Sequence, residues 1–453
     1  MMRLIEAAQA IDANVRGKDV KFSSVSTDTR TLQRGALFVA LRGERFDGHD
    51  FVRQALENGA SAAMVDAAFN GTDFDDAASL LVVADTRLGL GQLAKTWRNR
   101  FDLPLIAVTG SNGKTTVKEM LKSILSIASG DVDAVLATQG NLNNDIGMPL
   151  MLLQLRASHR YAVIEMGMNH LGEIDYLTRL ATPTVALVNN AQSAHVGELG
   201  SVENIARAKG EIFAGLRPGG IAVINADDAF APSWRELNAG REVIDFGLEI
   251  SAQVTGRYEL LPTGANLEIK LRQHSVQAHL NVPGLHNVRN ALAASAAALA
   301  VQVAPQAIVQ GLNAFQGVKG RLQTKVVLHG ATLIDDSYNA NPGSVRAAID
   351  VLAQMPGEKI LVLGDMGELG AEGPQLHAEI GRYARDQGID ALFCLGELSR
   401  HTAEAFRDGA WYFERIQELL AELENRLTPN TTVLVKGSRF MAMERVVKSF
   451  EIA

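Results

Sequence analysis

The chain has 453 residues, 47% of them hydrophobic, and this length predicts about three domains of roughly 150 residues each. Its formal net charge is −8 and it has no basic tract, which argues against binding to nucleic acid. The one cysteine, Cys394, excludes an internal disulfide and is typical of a reducing, cytoplasmic location.

The first 84 residues predict a small α/β unit. The opening residues include Arg3 and Glu6 and lack the apolar core of a signal peptide. Apolar runs at 36–40 and 62–65 are typical of buried strands, and residues 51–58 have the pattern of a helix that Gly59 ends.

Residues 85 to 315 alternate strand-like apolar runs with helical patterns, which predicts a mainly parallel sheet covered on both faces. We expect its strands at 105–108, 134–137, 162–165, 185–188 and 221–224. Alternating polar and apolar residues between 250 and 282 predict an antiparallel hairpin at one sheet edge. The alanine-rich run 291–304 is too short to span a membrane, and we expect a buried helix there.

The most informative motif, TGSNGKTT at 109–116, follows the strand predicted at 105–108. A glycine-rich turn between a strand and a helix predicts a phosphate cradle, because the free N–H groups at the helix start point at the anion. We expect Lys114 to reach the terminal phosphates of the bound ligand and the Thr115 hydroxyl to hold Mg²⁺. The spacing is the short G-x-x-G-K-T-T form, with Val108 where a longer loop would have glycine, so a generic NTPase assignment is too broad.

Three further candidates follow later elements of this region. Glu165 ends a predicted strand, so it is either a Mg²⁺ ligand or an exposed strand-end carboxylate. His195 follows another strand, and a ligand and an ordinary loop histidine are equally open interpretations. Lys209, from the residues alone, is one of several charges on a solvated helix face.

Asn287 and Asn290 lie three apart at the start of the alanine-rich helix, where paired amides either read the edge of a nucleobase or cap the helix. A third α/β unit runs from about residue 316, with strands expected at 333–334, 360–363, 391–395 and 433–435. The glycine-rich boundary at 317–320 suits a hinge, and Arg321 beside it could close over phosphates. Asp336 follows the first of these strands and could contact a ribose or a metal.

These motifs together resemble the Mur ligase family of bacterial cell-wall synthesis over nearly the whole chain. TDTR at 27–30, GALFVALRG at 35–43 and FDGHDF at 46–51 look like the uridine-nucleotide-binding domain of that family. GNLNNDIGMP at 140–149 is the most specific marker of its D-alanyl-D-alanine-adding member, and DDSYNANP at 335–342 and KGSR at 436–439 also match. Thr29 departs from the usual serine but keeps a hydroxyl, and the Asp-Asn-Pro-Arg motif of the diaminopimelate-adding member is absent.

The resemblance implies an α/β fold of three domains. These are a small N-terminal α/β domain (1–84) that binds the UDP-substrate, a central P-loop ATPase-like domain (85–315) with a mainly parallel sheet, and a C-terminal Rossmann-like ligase domain (316–453). It implies an ATP- and Mg²⁺-dependent amide ligase that joins D-alanyl-D-alanine to UDP-N-acetylmuramoyl-tripeptide through an acyl phosphate. We expect a monomer without a membrane span.

The resemblance also assigns residues to roles. Catalysis would use Lys114, Glu165, His195, Lys209 and Arg321. Mg²⁺ would be held by Thr115, Glu165, His195 and a carbamylated Lys209. ATP would be bound by Gly110, Ser111, Asn112, Gly113, Lys114, Thr115, Thr116, Asn287, Asn290, Arg321 and Asp336. The substrates would be bound by Thr27, Asp28, Thr29, Arg30, Arg42, Gly43, Asp47, His49, Asn141, Asn143, Asn144, Tyr338, Asn339 and Asn341.

Overall fold

The structure is a computed structural model that describes residues 1–69, 78–192 and 196–452. Its N-terminal elements are β1 (Met2–Arg3), α1 (Leu4–Ile11), β2 (Asn14–Arg16), β3 (Lys21–Phe22), β4 (Ser24–Ser26), β5 (Ala36–Val39), α2 (Val52–Glu57), β6 (Ala62–Asp66) and β7 (Leu80–Val83). In the described residues, β2, β7, β6, β5 and β4 form a sheet in that order. Strands β4 to β7 pair in parallel, and β2 is antiparallel at one edge.

The central elements surround a larger sheet. They are α3 (Thr86–Arg98), β8 (Leu105–Thr109), α4 (Lys114–Ser129), β9 (Val135–Ala137), α5 (Gly147–Leu152), β10 (Tyr161–Glu165), α6 (Glu173–Ala181), β11 (Val185–Val188), α7 (Val196–Leu199), α8 (Val202–Gly210), β12 (Ile221–Asn225), α9 (Ala231–Leu237), β13 (Val243–Phe246), β14 (Val254–Leu261), β15 (Gly264–Leu271), β16 (His274–Leu280), α10 (Leu285–Ala300) and α11 (Pro305–Ala314).

The central sheet has the strand order β16-β15-β14-β13-β12-β11-β8-β10-β9 within the described ranges. It is parallel from β9 to β14, and β14, β15 and β16 form an antiparallel meander at one edge. The predicted parallel sheet and its antiparallel appendage are thus confirmed. Because β8 lies between β10 and β11, the loop that follows β8 emerges at the middle of the carboxyl edge.

The C-terminal elements are β17 (Gln323–Val326), β18 (Thr332–Asp336), α12 (Pro342–Ala353), β19 (Glu358–Gly364), α13 (Gly373–Asp386), β20 (Ala391–Leu395), α14 (Ser399–Phe406), β21 (Ala410–Phe413), α15 (Ile416–Glu424), β22 (Thr431–Lys436) and α16 (Glu444–Phe450). Their sheet has the order β17-β18-β22-β19-β20-β21, with only β17 antiparallel in this part of the described chain. Pairing of β18 with β22 places Asp336 opposite Lys436 at the strand ends.

Each of the three large sheets lies within one of the ranges 1–84, 85–315 and 316–453, whose boundaries stay a prediction. The hydrophobic cores of the N-terminal and central units are joined, although their sheets are separate. One cluster of buried residues runs from α1 through Leu90, Leu93 and Trp97 of α3 to the central sheet. Helix α3 therefore fixes the first sheet to the central one.

Helix α10 contains residues 291–300 of the alanine-rich run and packs against α4 and the central sheet, so the expected buried helix is confirmed. Across the described ranges, no helix has the length and apolar character needed to cross a bilayer. Cys394 lies fully buried in β20, where burial raises the pKa of its thiol, as expected for a small apolar strand residue.

Candidate active site

The loop between β8 and α4 is held by hydrogen bonds to the segment that follows β11. The backbone N–H of Asn112 donates to Oδ1 of Asn190 (2.8 Å), and Asn189 Nδ2 donates to the carbonyl of Asn112 (2.9 Å). Gly113 has a φ of +80°, and a Cβ there would lie 2.3 Å from Asn290 Oδ1. Glycine is therefore required at this position both for its backbone conformation and for the close approach of α10.

Glu165 faces the start of α4 at the end of β10. Thr115 Oγ1 donates to its Oε2 (3.0 Å), and Asn143 Nδ2 donates to its Oε1 (2.8 Å). The residue is 3% exposed, so the alternative of an exposed strand-end carboxylate is wrong. The GNLNNDIGMP segment thus contributes an amide that orients Glu165.

Two lysines lie in the same region, of which Lys114 is half-buried and Lys209 is buried. Nζ of Lys114 folds back onto the carbonyl of Gly110 (2.6 Å), and burial lowers the pKa of Lys114, with Arg321 adding to the effect and Glu165 opposing it. Lys209 is 2% exposed, so a solvated helix face is also the wrong interpretation. Burial, reinforced by the charge of Lys114, holds the pKa of Lys209 well below its usual value. A negative group bound beside them would favour the charged form of each lysine.

A cavity of about 870 Å³, here called the loop cavity, opens between the central sheet and the C-terminal sheet. It brings together many of the predicted site residues, namely Ser111, Asn112, Gly113, Lys114, Thr115, Asn141, Asn143, Asn144, Glu165, Lys209, Arg321, Tyr338, Asn339 and Asn341. The Arg321 guanidinium carbon lies 4.3 Å from the centre of the Tyr338 ring, which holds the charge over the cavity.

A second cavity of about 550 Å³, here called the α10 cavity, lies on the other side of the loop. Among the predicted residues it is lined by Asn112, Gly113, Thr116, Asn287, Asn290, Arg321 and Asp336. Asn112, Gly113 and Arg321 line both cavities, so an elongated ligand could extend from one into the other past the phosphate loop.

The two asparagines of α10 are buried and bound to protein. Asn287 Nδ2 donates to the carbonyl of Pro283 (2.7 Å), and Asn290 Oδ1 accepts from Asn189 Nδ2 (3.0 Å). Asn290 also donates to Asn287 Oδ1 (3.2 Å). Their amides therefore support the phosphate loop, and their contact with a base stays a prediction.

Asp336 forms a buried ion pair with Lys436, whose Nζ lies 2.5 Å from its Oδ2. Burial raises the pKa of Asp336 and lowers that of Lys436, while each partner opposes the shift in the other. The backbone N–H of Leu322 donates to Asp336 Oδ1 (3.2 Å), which ties the residue to the segment after Arg321.

The predicted residues of the N-terminal unit line neither cavity; they are Thr27, Asp28, Thr29, Arg30, Arg42, Gly43, Asp47 and His49. His49 Nε2 accepts from the Asp66 N–H (3.0 Å), so the ring proton is on Nδ1 and is donated to Asp47 Oδ1 (2.6 Å). Arg42 binds both Asp47 and Asp66. Asp28 pairs with Arg30, which lowers the pKa of that carboxyl to about 2. These contacts shape a surface loop, and its role in binding substrate stays a prediction.

His195 lies outside the described residues. Sequence reasoning missed three side-chain amides that support the loop, those of Asn189, Asn190 and Gln192. They lie about 80 residues from the loop in sequence, and only the fold brings them into contact with it. It also missed the ion pair between Arg87 of α3 and Asp145 at the edge of the loop cavity. Asp145, the acid immediately before the IGMP segment, was a visible but unspecific signal.

In the described part of the chain, no group of three or more His, Cys, Asp or Glu side chains could hold a metal ion without further ligands. Thr115 and Glu165 supply two oxygens that suit Mg²⁺, which in such sites takes one or two protein ligands and completes its shell with phosphate oxygens and water. The residues present therefore fit a metal that arrives with a nucleotide.

Three family profiles match successive parts of the chain. The Mur ligase family catalytic domain matches residues 21–98, the Mur ligase middle domain 108–298, and the Mur ligase glutamate ligase domain 320–439. The chain is 41% identical over 456 residues to the UDP-N-acetylmuramoyl-tripeptide--D-alanyl-D-alanine ligase of Escherichia coli K12, covering 99% of this chain and 98% of that protein.

Solved structures give the same comparison in three dimensions. A crystal structure of MurF from Acinetobacter baumannii superposes with a TM-score of 0.90 at 39% identity and covers 99% of both chains. The MurF ligase from Thermotoga maritima in complex with ADP superposes with a TM-score of 0.82 at 27% identity, covering 94% of this chain and 96% of that one. The three-domain α/β fold is thus shared along the full length.

Proposed function

This chain belongs to the Mur ligase family, and we propose that it joins D-alanyl-D-alanine to UDP-N-acetylmuramoyl-tripeptide, driven by the conversion of ATP to ADP and phosphate. It is an ATP-dependent amide ligase, and the product would be the pentapeptide precursor of peptidoglycan. The resemblance to proteins of this named activity extends over 99% of the chain.

The observation that carries the proposal is the convergence on one cavity of a phosphate loop, a metal-suited carboxylate and residues of the C-terminal domain. The Thermotoga relative was solved with ADP, which supports the use of ATP here. We assign the base and ribose to the α10 cavity and the phosphates to Lys114, because Asn112 and Gly113 line both cavities.

The reaction needs an activated carboxylate. In the first step an oxygen of the tripeptide carboxylate attacks the γ-phosphorus of ATP and ADP leaves. In the second step the amine of D-alanyl-D-alanine attacks the acyl carbon, inorganic phosphate leaves and the amine loses a proton. Lys114 and Arg321 stabilise the negative charge that develops on the transferring phosphoryl group.

Mg²⁺ would be held by Thr115 and Glu165, with His195 and Lys209 as further proposed ligands. The metal would supply charge neutralisation at the phosphates. Lys209 fits the proposed carbamate, because a deprotonated amine is the form that reacts with CO₂ and both burial and Lys114 favour that form. Carbamylation would turn a neutral amine into an anion near Lys114.

The other predicted roles follow from this assignment. We propose that the N-terminal loop formed by Arg42, Asp47 and His49 binds the uridine nucleotide of the substrate and that Asn143 and Tyr338 border its peptide. We propose a monomer in the cytoplasm. Nucleic acid has no part in the activity.

Amine specificity is the feature that separates this function from that of related ligases. We would incubate the protein with ATP, Mg²⁺ and UDP-N-acetylmuramoyl-tripeptide, supply D-alanyl-D-alanine, D-alanine, L-lysine, diaminopimelate or glutamate in turn, and measure ADP and product mass. We expect the pentapeptide mass, with equimolar ADP, from D-alanyl-D-alanine alone. A product formed with another amine would contradict the proposal. So would ADP release at the same rate without the UDP-substrate, which is the behaviour of a nucleotide-gated switch.

A further inference from the structure

A pair of side-chain amides joins the phosphate loop directly to the C-terminal domain. Asn341 Nδ2 donates to Asn112 Oδ1 at 2.8 Å, and the return contact from Asn112 Nδ2 to Asn341 Oδ1 measures 3.4 Å. Asn112 belongs to the loop before α4, whereas Asn341 precedes α12, 229 residues later. The contact lies beside the loop where the two cavities meet.

The neighbours of each amide determine its orientation. Asn341 Oδ1 accepts from the backbone N–H of Ser344 (2.9 Å) as the N-cap of α12, which leaves its Nδ2 to face the loop. Asn112 Nδ2 donates to Gln192 Oε1 (2.6 Å), which leaves its Oδ1 to face Asn341. Donor therefore meets acceptor without rearrangement of either side chain.

Asn112 is itself rigidly placed. Its backbone N–H and carbonyl are both bound by Asn190, at 2.8 and 3.1 Å, and Asn189 adds a third contact that continues to Asn290 of α10. A series of amides thus runs from the α10 cavity, through the phosphate loop, to the first turn of α12.

On the basis of the proposed function, we infer that Asn341 is a positioning residue that docks the C-terminal domain on the phosphate loop through Asn112. Docking places Arg321 and Tyr338 over the phosphates and excludes water from the acyl phosphate, which would otherwise hydrolyse. Asn341 acts through Asn112 and takes no part in the chemistry.

The test compares Asn341→Ser, Asn112→Ala and the double variant with the wild type. Serine keeps the N-cap of α12 but is too short to reach Asn112, so we expect an unchanged thermal midpoint. Ligation should slow about tenfold, as for the loss of one hydrogen bond of ordinary strength. ADP formed per amide bond should rise above one, because the activated acyl group is exposed to water. The double variant should be no slower than the slower single variant.

Small-angle scattering with a non-hydrolysable ATP analogue measures docking without any need for ligation. We expect a larger radius of gyration for Asn341→Ser than for the wild type. Equal radii together with an ADP-to-amide ratio of one, or additive effects of the two substitutions, would overturn the inference. A wild type that binds the analogue and closes but forms no amide would instead refute the proposed function and leave the docking role standing.

Discussion

At the scale of single residues, the phosphate loop depends on how the lysine side chains beside it are held. Lys114 Nζ is held by backbone carbonyls, and among the described side chains none forms an ion pair with Lys114 or Lys209. An anionic ligand would supply the missing charge and draw Lys114 away from the carbonyl of Gly110. The arrangement therefore favours binding of a polyphosphate over an empty loop.

Replacing Lys114 by alanine should preserve the fold and lower the ligation rate by at least about a hundredfold, because one preorganised donor to a transferring group contributes on this scale. The rate of pentapeptide formation and the thermal midpoint are the measurements. Lys122→Ala on the same helix, α4, is the matched control and should behave as the wild type. Normal turnover by the Lys114 variant would remove the residue from catalysis.

Glu165→Gln should shift the Mg²⁺ titration of ligation to higher concentration by about tenfold or more, since a neutral amide attracts the cation less than a carboxylate does. The substitution keeps the shape of the side chain beside Thr115 and Asn143. Glu203→Gln, exposed on α8, is the control for loss of one negative charge. An unchanged metal titration counts against the assigned role of Glu165.

Carbamylation of Lys209 is open to direct observation. Protein equilibrated with ¹³C-bicarbonate should show one carbamate carbon by NMR, because burial keeps a fraction of this amine uncharged and reactive. The signal should be absent from Lys209→Arg, whose guanidinium stays protonated. A signal of equal size in that variant would place the carbamate elsewhere.

At the scale of elements, the start of α10 carries a pH-sensitive group. Burial, with help from Lys436 and Arg289, lowers the pKa of His286 to about 4, below its value of roughly 6.5 in an unfolded chain. The unfolded chain therefore binds the extra proton between these values, and the folded state loses stability as pH falls through this window. The helix N-terminus also disfavours a positive charge.

We therefore expect the thermal midpoint of the wild type to fall between pH 7 and pH 5 by about 2 °C more than that of His286→Gln. Differential scanning calorimetry at the two pH values measures this difference. Any other group that titrates in the window affects both proteins, so the comparison isolates His286. Parallel curves for the two proteins would show that the histidine is accommodated in its charged form.

At the scale of elements, sequence patterns predicted some strands well and missed others. Buried parallel strands such as β8 and β11 are continuous apolar runs and were predicted nearly to their ends. Strands β17 and β21 were missed, because β17 is a half-exposed antiparallel edge and β21 is a short aromatic run with no strand periodicity.

Site prediction had an analogous limit. The phosphate loop is contiguous in sequence, and Glu165 ends a recognisable strand, so both were found. The bond between Asn112 and Asn341 was not, since it depends on how two domains meet. Whether Asn143 binds substrate or only orients Glu165 likewise depends on distances that no spacing encodes.

At the scale of the whole molecule, the two outer domains are attached to the central domain in different ways. Helix α3 shares a core with the first sheet, so removing residues 1–84 would expose buried apolar surface and would also remove any uridine site. Point substitutions in the loop at Arg42 are therefore the better test of substrate binding. The C-terminal domain instead contacts the phosphate loop through polar groups, as suits a domain that opens and closes.

The central claim is that the γ-phosphoryl group of ATP passes to the donor carboxylate before the amide forms. To test this directly, UDP-N-acetylmuramoyl-tripeptide is labelled with ¹⁸O in its terminal carboxylate and incubated with the protein, ATP, Mg²⁺ and D-alanyl-D-alanine. The ¹⁸O content of the released phosphate is then measured by mass spectrometry. We predict one carboxylate oxygen transferred to inorganic phosphate for each pentapeptide formed. Pentapeptide accompanied by unlabelled phosphate would contradict the account.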